Sequence, residues 1–357
     1  MKIVLIDCAL PINIRNEKIL RSFAHYMPEA ELHVINWARE IGKTVDNSVS
    51  GAEYHVYEKP SPLQNLPKKF MNMFGFKRYI GRQLRSLNPD IVIASHWSNL
   101  ILTSGFMRRG QKLIYENLDV PTESFMVRKL TEFFERISLL RTDFIVYASR
   151  FFEPLYSKRI PHYVLENKPM FDVCPIEARP IEGKLKVAYI GSVRYLPIMH
   201  NLVDAVRGNS KIELLIHGSG PDLESLRQYS AGLQNVHFTG RYSYDDIIRL
   251  YQAADVVWAA YPNKDYNVKY AISNKFHESL FVGVPCIYSD HTKLADFAVK
   301  HNIGLEVDPN SVESIATVFD NLLSGKTDVT EIRHSMMQFQ KQETTWDEDF
   351  QQLLKML

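Results

Sequence analysis

An α/β fold of two Rossmann-like, doubly wound domains facing a cleft is what this sequence predicts. Short β-branched apolar runs alternate with amphipathic segments, the alternation restarts after a proline-rich bridge, and 357 residues suffice for two domains. In the first half the runs are KIVLID, ELHVINW, DIVIASH, KLIYEN and DFIVYAS, continuously apolar as strands covered on both faces are. Amphipathic stretches such as NEKILRSFAHYM and VRKLTEFFERISLLR separate them. The bridge HYVLENKPMFDVCPIEARPIEG carries three prolines and no helical period. Beyond it come KVAYIG, IELLIHG, NVHFTG, VVWAAY, PCIYSD and IGLEVD, with helical segments between. The boundaries expected are 1–168 for the first domain, 169–183 for a linker, 184–340 for the second domain and 341–357 for a last helix. Trp346, Phe350, Leu353 and Leu354 stand at helical spacing there, which suits a helix crossing back to the first domain.

With 45% hydrophobic and 23% charged residues, the composition is that of a globular protein with two cores. No apolar run approaches the ~18–20 residues that span a bilayer. The opening MKIVLIDCALPIN reads as a buried first strand rather than a signal peptide, because Asp7 interrupts the apolar run. Three scattered cysteines, none at zinc spacing, suit a reducing compartment, and a cytoplasmic location is expected. Charge is uneven: Met1–Lys168 holds 24 basic and 17 acidic residues, the remainder 18 and 24. The first half therefore suits an anionic partner.

One stretch, SNKFHESLFVGVPCIYSD (273–290), concentrates chemistry. A helix starting near Asn274 presents free backbone N–H groups and a positive dipole end, which stabilise an anion, and Lys275 adds a full charge. Glu278, three residues on, repels phosphate but suits vicinal hydroxyls. Cation and helix end for a diphosphate with a carboxylate for a ribose fit a nucleoside diphosphate. The same spacing also fits a surface helix with an i,i+3 ion pair and Ser273 as N-cap.

The stretch resembles the donor-binding motif of GT-B glycosyltransferases related to family 4, an Asn-Lys-x-x-Glu followed by an apolar helix and Gly-x-Pro. KLKVAYIGSVRYLPIMHNLVDAV, IELLIHGSGPDLESL, NVHFTGRYSYDDIIRLYQAADVVWAAY and NIGLEVDPNSVESIATVFDNLL are similar to further family segments, in the family's order. The resemblance implies that Glu278 binds the ribose, and that Lys275, Ser273 and Asn274 hold the departing diphosphate. It implies a phosphate-facing loop from Gly191 and Ser192 to Arg194, and close donor approach at Gly218, Ser219 and Gly220. Arg241 and Tyr242 would lie near the base. Two positions depart from the family: Tyr270 stands where many members carry a second Glu, and no Lys follows Arg194.

On the first, acceptor-binding domain the strand ends offer His96 and Asp119 as catalytic candidates, and the loop after the first strand offers Asn13 and Arg15 as acceptor contacts. His96 could instead cap a turn, and Asp119 could form an Asx-turn before Pro121. HGSGPDLESL lacks the third glycine of a dinucleotide fingerprint. The triplet Asp347–Asp349 suits a helix start better than a metal, so no metal and no cofactor are expected. Residues 59–85 carry Lys59, Lys68, Lys69, Lys77, Arg78, Arg82 and Arg85 without an acidic residue, with Phe70, Met71, Met73, Phe74, Phe76 and Tyr79 interleaved. That pattern suits an anionic membrane surface, the partner expected for it, ahead of a helix burying its aromatics; no nucleic-acid motif accompanies it.

The reading that results is a metal-independent, retaining glycosyltransferase. It would move a sugar from a nucleotide diphosphate donor, UDP by family preference, to a glycan or lipid-linked saccharide in cell-surface polysaccharide synthesis, at the inner face of the cell membrane. A nucleotide-sugar epimerase on the same fold, or a catalytically silent binding subunit, is the alternative.

Overall fold

The computed structural model describes residues 1–39, 49–60, 66–121 and 125–357. The chain divides into two units, Met1–Asn167 with Asp347–Leu357, and Lys168–Trp346.

The first unit contains β1 (Lys2–Asp7), α1 (Ile14–Tyr26), β2 (Glu31–Ala38), β3 (Ala52–Glu58), α2 (Leu66–Leu87), β4 (Ile91–Ser95), α3 (Trp97–Thr103), β5 (Lys112–Asn117), α4 (Phe125–Leu139), β6 (Phe144–Tyr147) and β7 (His162–Val164). The strands form one parallel sheet in the order β3-β2-β1-β4-β5-β6-β7. Its central strands are buried almost residue for residue, which is why they read as continuous apolar runs. The edge strand β3, AEYHVYE, is only half-buried, and its polar alternation explains why no apolar run marks it in the sequence.

The second unit contains β8 (Leu185–Ile190), α5 (Leu196–Val206), β9 (Ile212–His217), α6 (Leu223–Tyr229), β10 (Val236–Gly240), α7 (Ile247–Gln252), β11 (Val256–Trp258), α8 (Tyr266–Tyr270), α9 (Asn274–Val282), β12 (Cys286–Ser289), α10 (Lys293–Lys300), β13 (Gly304–Val307), α11 (Val312–Leu323) and α12 (Val329–Gln340). Its sheet, also parallel, runs β10-β9-β8-β11-β12-β13. The stretch 169–183 is counted with this unit, and the Cys174 and Ile176 amides donate to the Phe281 and Val282 carbonyls.

The last helix, α13 (Trp346–Met356), packs on the first unit, as its apolar spacing predicts. Phe350 is fully buried and meets the Phe23 ring edge-to-face at 5.1 Å, while Asp349 accepts from the Tyr163 hydroxyl.

In both sheets the chain winds outward from a middle strand in two directions, at β1/β4 and at β8/β11. Such reversals leave a crevice at the carboxyl ends of the strands, where open α/β sheets bind ligands. The residues that the sequence singled out around Asn13 and around Lys275 lie at these two places.

Of the stretch 59–85, residues 61–65 and the side chains of 66–70, Lys68, Lys69 and Phe70 among them, lie outside the described residues. Phe76 enters the core, stacked on Trp37 at 5.3 Å, whereas Met71 and Phe74 stay exposed with the Arg78 guanidinium over the Phe74 ring. The aromatics thus split between the two behaviours that the pattern allows. Among the described residues no helix is long and apolar enough to cross a membrane.

Candidate functional site

At the β8/β11 reversal two glycine loops close on each other. The Gly191 amide donates to the His217 carbonyl and the Val193 amide to the Ser219 carbonyl, tying the loop after β8 to the loop after β9. The approach leaves no room for side chains. A Cβ on Gly218 would lie 1.9 Å from the Gly191 oxygen, and one on Gly220 2.3 Å from the Val193 oxygen. Gly218 also holds φ +135°, a conformation open to glycine. The Gly-x-Gly-Pro of the sequence is therefore a packing requirement that brings two strand ends together.

Helix α9 arrives at the same place. Ser273 caps it, its hydroxyl accepting from the Lys275 amide at 3.3 Å, and Gly283 ends it in the left-handed conformation. It is not a surface helix: every residue from Lys275 to Val282 is buried. The Lys275 ammonium donates to the Tyr261 hydroxyl at 2.6 Å and lies 5.2 Å from the ring centres of both Tyr261 and Tyr189. A Cβ at Gly191 would sit 3.4 Å from it, so the cation faces the glycine loop directly. Burial works against its charge, but the hydroxyls of Tyr261 and Tyr189 outweigh burial and hold the ammonium protonated beyond its usual range. Burial likewise pushes the Tyr189 hydroxyl up to about 12, while for Tyr261 the Lys275 charge and hydrogen bond overcome burial and lower it. Tyr261 is itself fixed, because the Ser289 hydroxyl accepts from its amide and donates to its carbonyl.

Arg194 stands at the open side, exposed, its guanidinium 4.9 Å over the Tyr195 ring and 6.0 Å from that of Tyr261. Two cations thus flank Tyr261, just beyond β11. Glu278, one helical turn into α9, accepts from the buried Tyr251 hydroxyl at 2.9 Å and from the exposed Tyr244 hydroxyl at 3.3 Å. Tyr242 is close enough that Glu278 and Lys275 both act on its hydroxyl, although burial is the larger cause of its raised pKa.

The structure therefore brings Gly191, Arg194, Gly218, Gly220, Tyr242, Ser273, Lys275 and Glu278 to one crevice. Ser192 and Ser219 serve it through backbone carbonyls, which accept from the Tyr189 hydroxyl and the Val193 amide. Asn274 and Arg241 present exposed side chains at its edge. Sequence reasoning missed Tyr189, Tyr244, Tyr251 and Tyr261, the partners of the two charged groups. Tyr261 follows β11 by three residues, and the strand-end rule that selected His96 would have found it.

At the β1/β4 reversal of the first unit the polar groups are packed inward. Asp7 accepts from the Asn13 and Ala9 amides and from the Asn16 side chain, yet burial outweighs these bonds and raises its pKa. Arg15, expected on a cleft-facing loop, lies in the first turn of α1, 3% exposed, with its guanidinium on Glu116. Asn13 caps that helix, accepting from the Arg15 amide at 2.9 Å. Helix geometry turns Arg15 toward the sheet, so it does not lie on the cleft-facing loop that was expected. Asp119 is half-buried, two residues past β5.

His96 caps α3, its Nδ1 accepting from the Ser98 amide at 3.3 Å, with backbone φ 74° and ψ 147°. A side chain other than glycine seldom adopts that region, and strain of this kind collects at functional positions. Burial first, and then the Arg39 guanidinium charge, pull the imidazole down to about 4, so it is neutral at physiological pH. With Nδ1 accepting, the proton resides on Nε2. His96 thus offers a donor and not the vacant basic nitrogen that a general base needs.

Residues 184–325, which include the glycine loops and α9, match the family model described as Glycosyl transferases group 1. The succinoglycan biosynthesis protein ExoL of Rhizobium meliloti (strain 1021) is 23% identical over 261 residues, 66% of this chain and 64% of the relative. The chain therefore spans less than two thirds of the curated relative it matches. Two solved structures share the fold at 14% identity over the whole of this chain. A sucrose-phosphate synthase from Thermosynechococcus elongatus is covered to 98% with a TM-score of 0.75. HepE from Anabaena, in complex with UDP and glucose, is covered to 99% with a TM-score of 0.70. The fold is the GT-B fold of two Rossmann-like domains, and the resemblance to GT-B glycosyltransferases holds.

Proposed function

We propose that this protein is a retaining glycosyltransferase that uses a UDP-sugar and acts on a glycan or lipid-linked saccharide in cell-surface polysaccharide synthesis. The observation that carries the reading is the buried, protonated Lys275 ammonium at the first turn of α9, facing the Gly191 loop. A diphosphate seated there meets a full positive charge, a helix N-terminus and backbone that a Cβ would block. Arg194 closes on it from the open side. Glu278 holds the ribose hydroxyls through the oxygen that now accepts the longer bond from exposed Tyr244, while Tyr251 keeps the other oxygen fixed. Arg241 and Tyr242 stack on or border the base.

On the first unit, His96 donates from Nε2 to a sugar hydroxyl, and Asp119 contacts the acceptor. No protein base is then required if the leaving phosphate oxygen takes the acceptor proton, as the family resemblance implies. The chemistry proceeds without a metal. HepE was solved with UDP and glucose, and ExoL is named for succinoglycan biosynthesis, both in keeping with this assignment.

Membrane attachment is part of the proposal, and α4 supports it more strongly than the stretch 59–85. Met126, Leu130, Phe133, Phe134, Ile137 and Leu140 are exposed at helical spacing, with Leu140 84% and Met126 81% accessible. Arg128, Lys129, Arg136 and Arg141 stand among them, and α3 packs against both α4 and α2, whose Met71 and Phe74 are also exposed. An apolar face set among cations suits the surface of an anionic bilayer at the cytoplasmic side.

The test is transfer of label from a panel of radiolabelled nucleotide sugars into membrane-extract acceptors, with chelator present. Incorporation from a UDP-sugar, lost in Lys275→Met, is the expected result; no incorporation from any UDP-sugar overturns the assignment.

A further inference from the structure

On the first sheet, remote in sequence from the strand ends used above, three metal-ligating side chains converge. His33 on β2 stands opposite Glu53 on the edge strand β3, and His55 follows two residues later on the same face. His33 Nδ1 is 3.2 Å from His55 Nε2 and 3.4 Å from Glu53 Oε2, and His55 Nε2 is 3.7 Å from Glu53 Oε1. Two ligands on one tetrahedral zinc ion, each bonded at about 2.0–2.1 Å, are separated by about 3.3–3.4 Å. The two Glu53 separations involve different carboxylate oxygens, and with one atom from each residue the donors lie within 4.8 Å of one another, so a small rotation of Glu53 lets one ion meet all three.

We propose that His33, His55 and Glu53 bind a divalent transition metal of the zinc class, which clamps the edge strand β3 to β2. Two imidazoles with one carboxylate is a donor set suited to such ions. His33 is 6% exposed and its Nε2 is buried, 3.9 Å from Glu31 Oε2, while Glu31 is held by Lys2 at 3.2 Å. At 3.9 Å Nε2 has no hydrogen-bond partner, and a small shift of Glu31 would place its carboxylate behind the second nitrogen, the usual outer partner of a ligating histidine. Glu53 is largely exposed, which gives the ion a path in and leaves a position for water. His33 is the third residue of β2 and Glu53 the second of β3, with His55 at mid-strand, so the site lies away from the carboxyl-end crevice where ligands of such sheets bind, and the inference does not depend on the proposed transferase reading.

Tag-free full-length protein, stripped with chelator and desalted, is titrated with zinc by calorimetry and with cobalt(II) by visible absorption. The expected result is one ion per chain, a rise in Tm on zinc addition, and the intense visible bands of a low-coordinate cobalt site. His33→Gln/His55→Gln is expected to weaken binding at least 100-fold. Glu31→Gln is expected to weaken it about tenfold without altering the cobalt spectrum. Zinc affinity and stoichiometry unchanged in the double variant overturn the proposal, as does a parent protein that binds no zinc. Should the double variant fail to fold, His55→Ala on the half-exposed edge strand carries the same test.

Discussion

Lys275→Met isolates the proposed diphosphate contact. Methionine keeps the length of the apolar stem in α9 and deletes the ammonium. A unit charge pair about 4 Å apart at an effective dielectric near 20 is worth about 4 kcal/mol. Part of that is offset, because binding diverts the ammonium from Tyr261, with which it now forms a 2.6 Å hydrogen bond. A net loss of about 2–3 kcal/mol remains, or about 30–150-fold in affinity for UDP. Without ligand, the variant loses a buried charge and leaves the Tyr261 hydroxyl short of a donor. These effects oppose each other, and the free protein should change by about 1 kcal/mol. Calorimetry with UDP and with uridine, beside the Tm of the free protein, reads all three quantities. The expected pattern is a large loss for UDP, almost none for uridine and a small shift in Tm. A UDP affinity within twofold of the parent, or equal losses for uridine and UDP, would refute the assignment of Lys275 to the phosphates.

Glu278→Ala should lower the stability of the unliganded protein by about 1–3 kcal/mol, because the Tyr251 hydroxyl is left buried without its acceptor; a denaturant titration that shows no change would contradict this. Gly218→Ala should cost about 2 kcal/mol or more, since backbone rather than a flexible side chain meets the new Cβ, and thermal melting reads it. His96 gives a pH signature. The unfolded imidazole titrates near 6.5 and the folded one at about 4, so its contribution is fully present above the first value and is lost as pH falls toward the second. The loss reaches at most about 3 kcal/mol. Comparing His96→Gln with the parent between pH 7 and 4 isolates that slope, because the raised Asp7 acts in the opposite sense in both proteins. Identical slopes would remove His96 as its source. Leu130→Glu/Phe133→Glu on α4 should abolish co-sedimentation with anionic vesicles and leave Tm unchanged; undiminished sedimentation would exclude α4 as the contact.

Much of the fold was legible because burial on both faces leaves a plain mark. The inner strands of both sheets are runs of Val, Ile and Leu, and all six strands of the second unit coincide with runs read from the sequence. Strand β3 was missed for the opposite reason, being an edge with one wet face. The motif around Lys275 was legible because a helix start, a cation and a carboxylate lie within a few residues of one another. Arg15 was misplaced because a loop and the first turn of a helix look alike until the chain closes, and here the helix turns the guanidinium onto Glu116.

By itself the sequence determined the α/β class, the return of the last helix and the place of the Asn274–Glu278 motif, since each rests on neighbours in the chain or on a single hydrophobic period. Only the tertiary structure decided what faces Lys275 and Glu278. Tyr261 lies 14 residues from Lys275, and Tyr251 lies 27 from Glu278. The same holds for His33 and His55, 22 residues apart on separate strands. Contacts of that kind are set by sheet order and register, which no local pattern encodes.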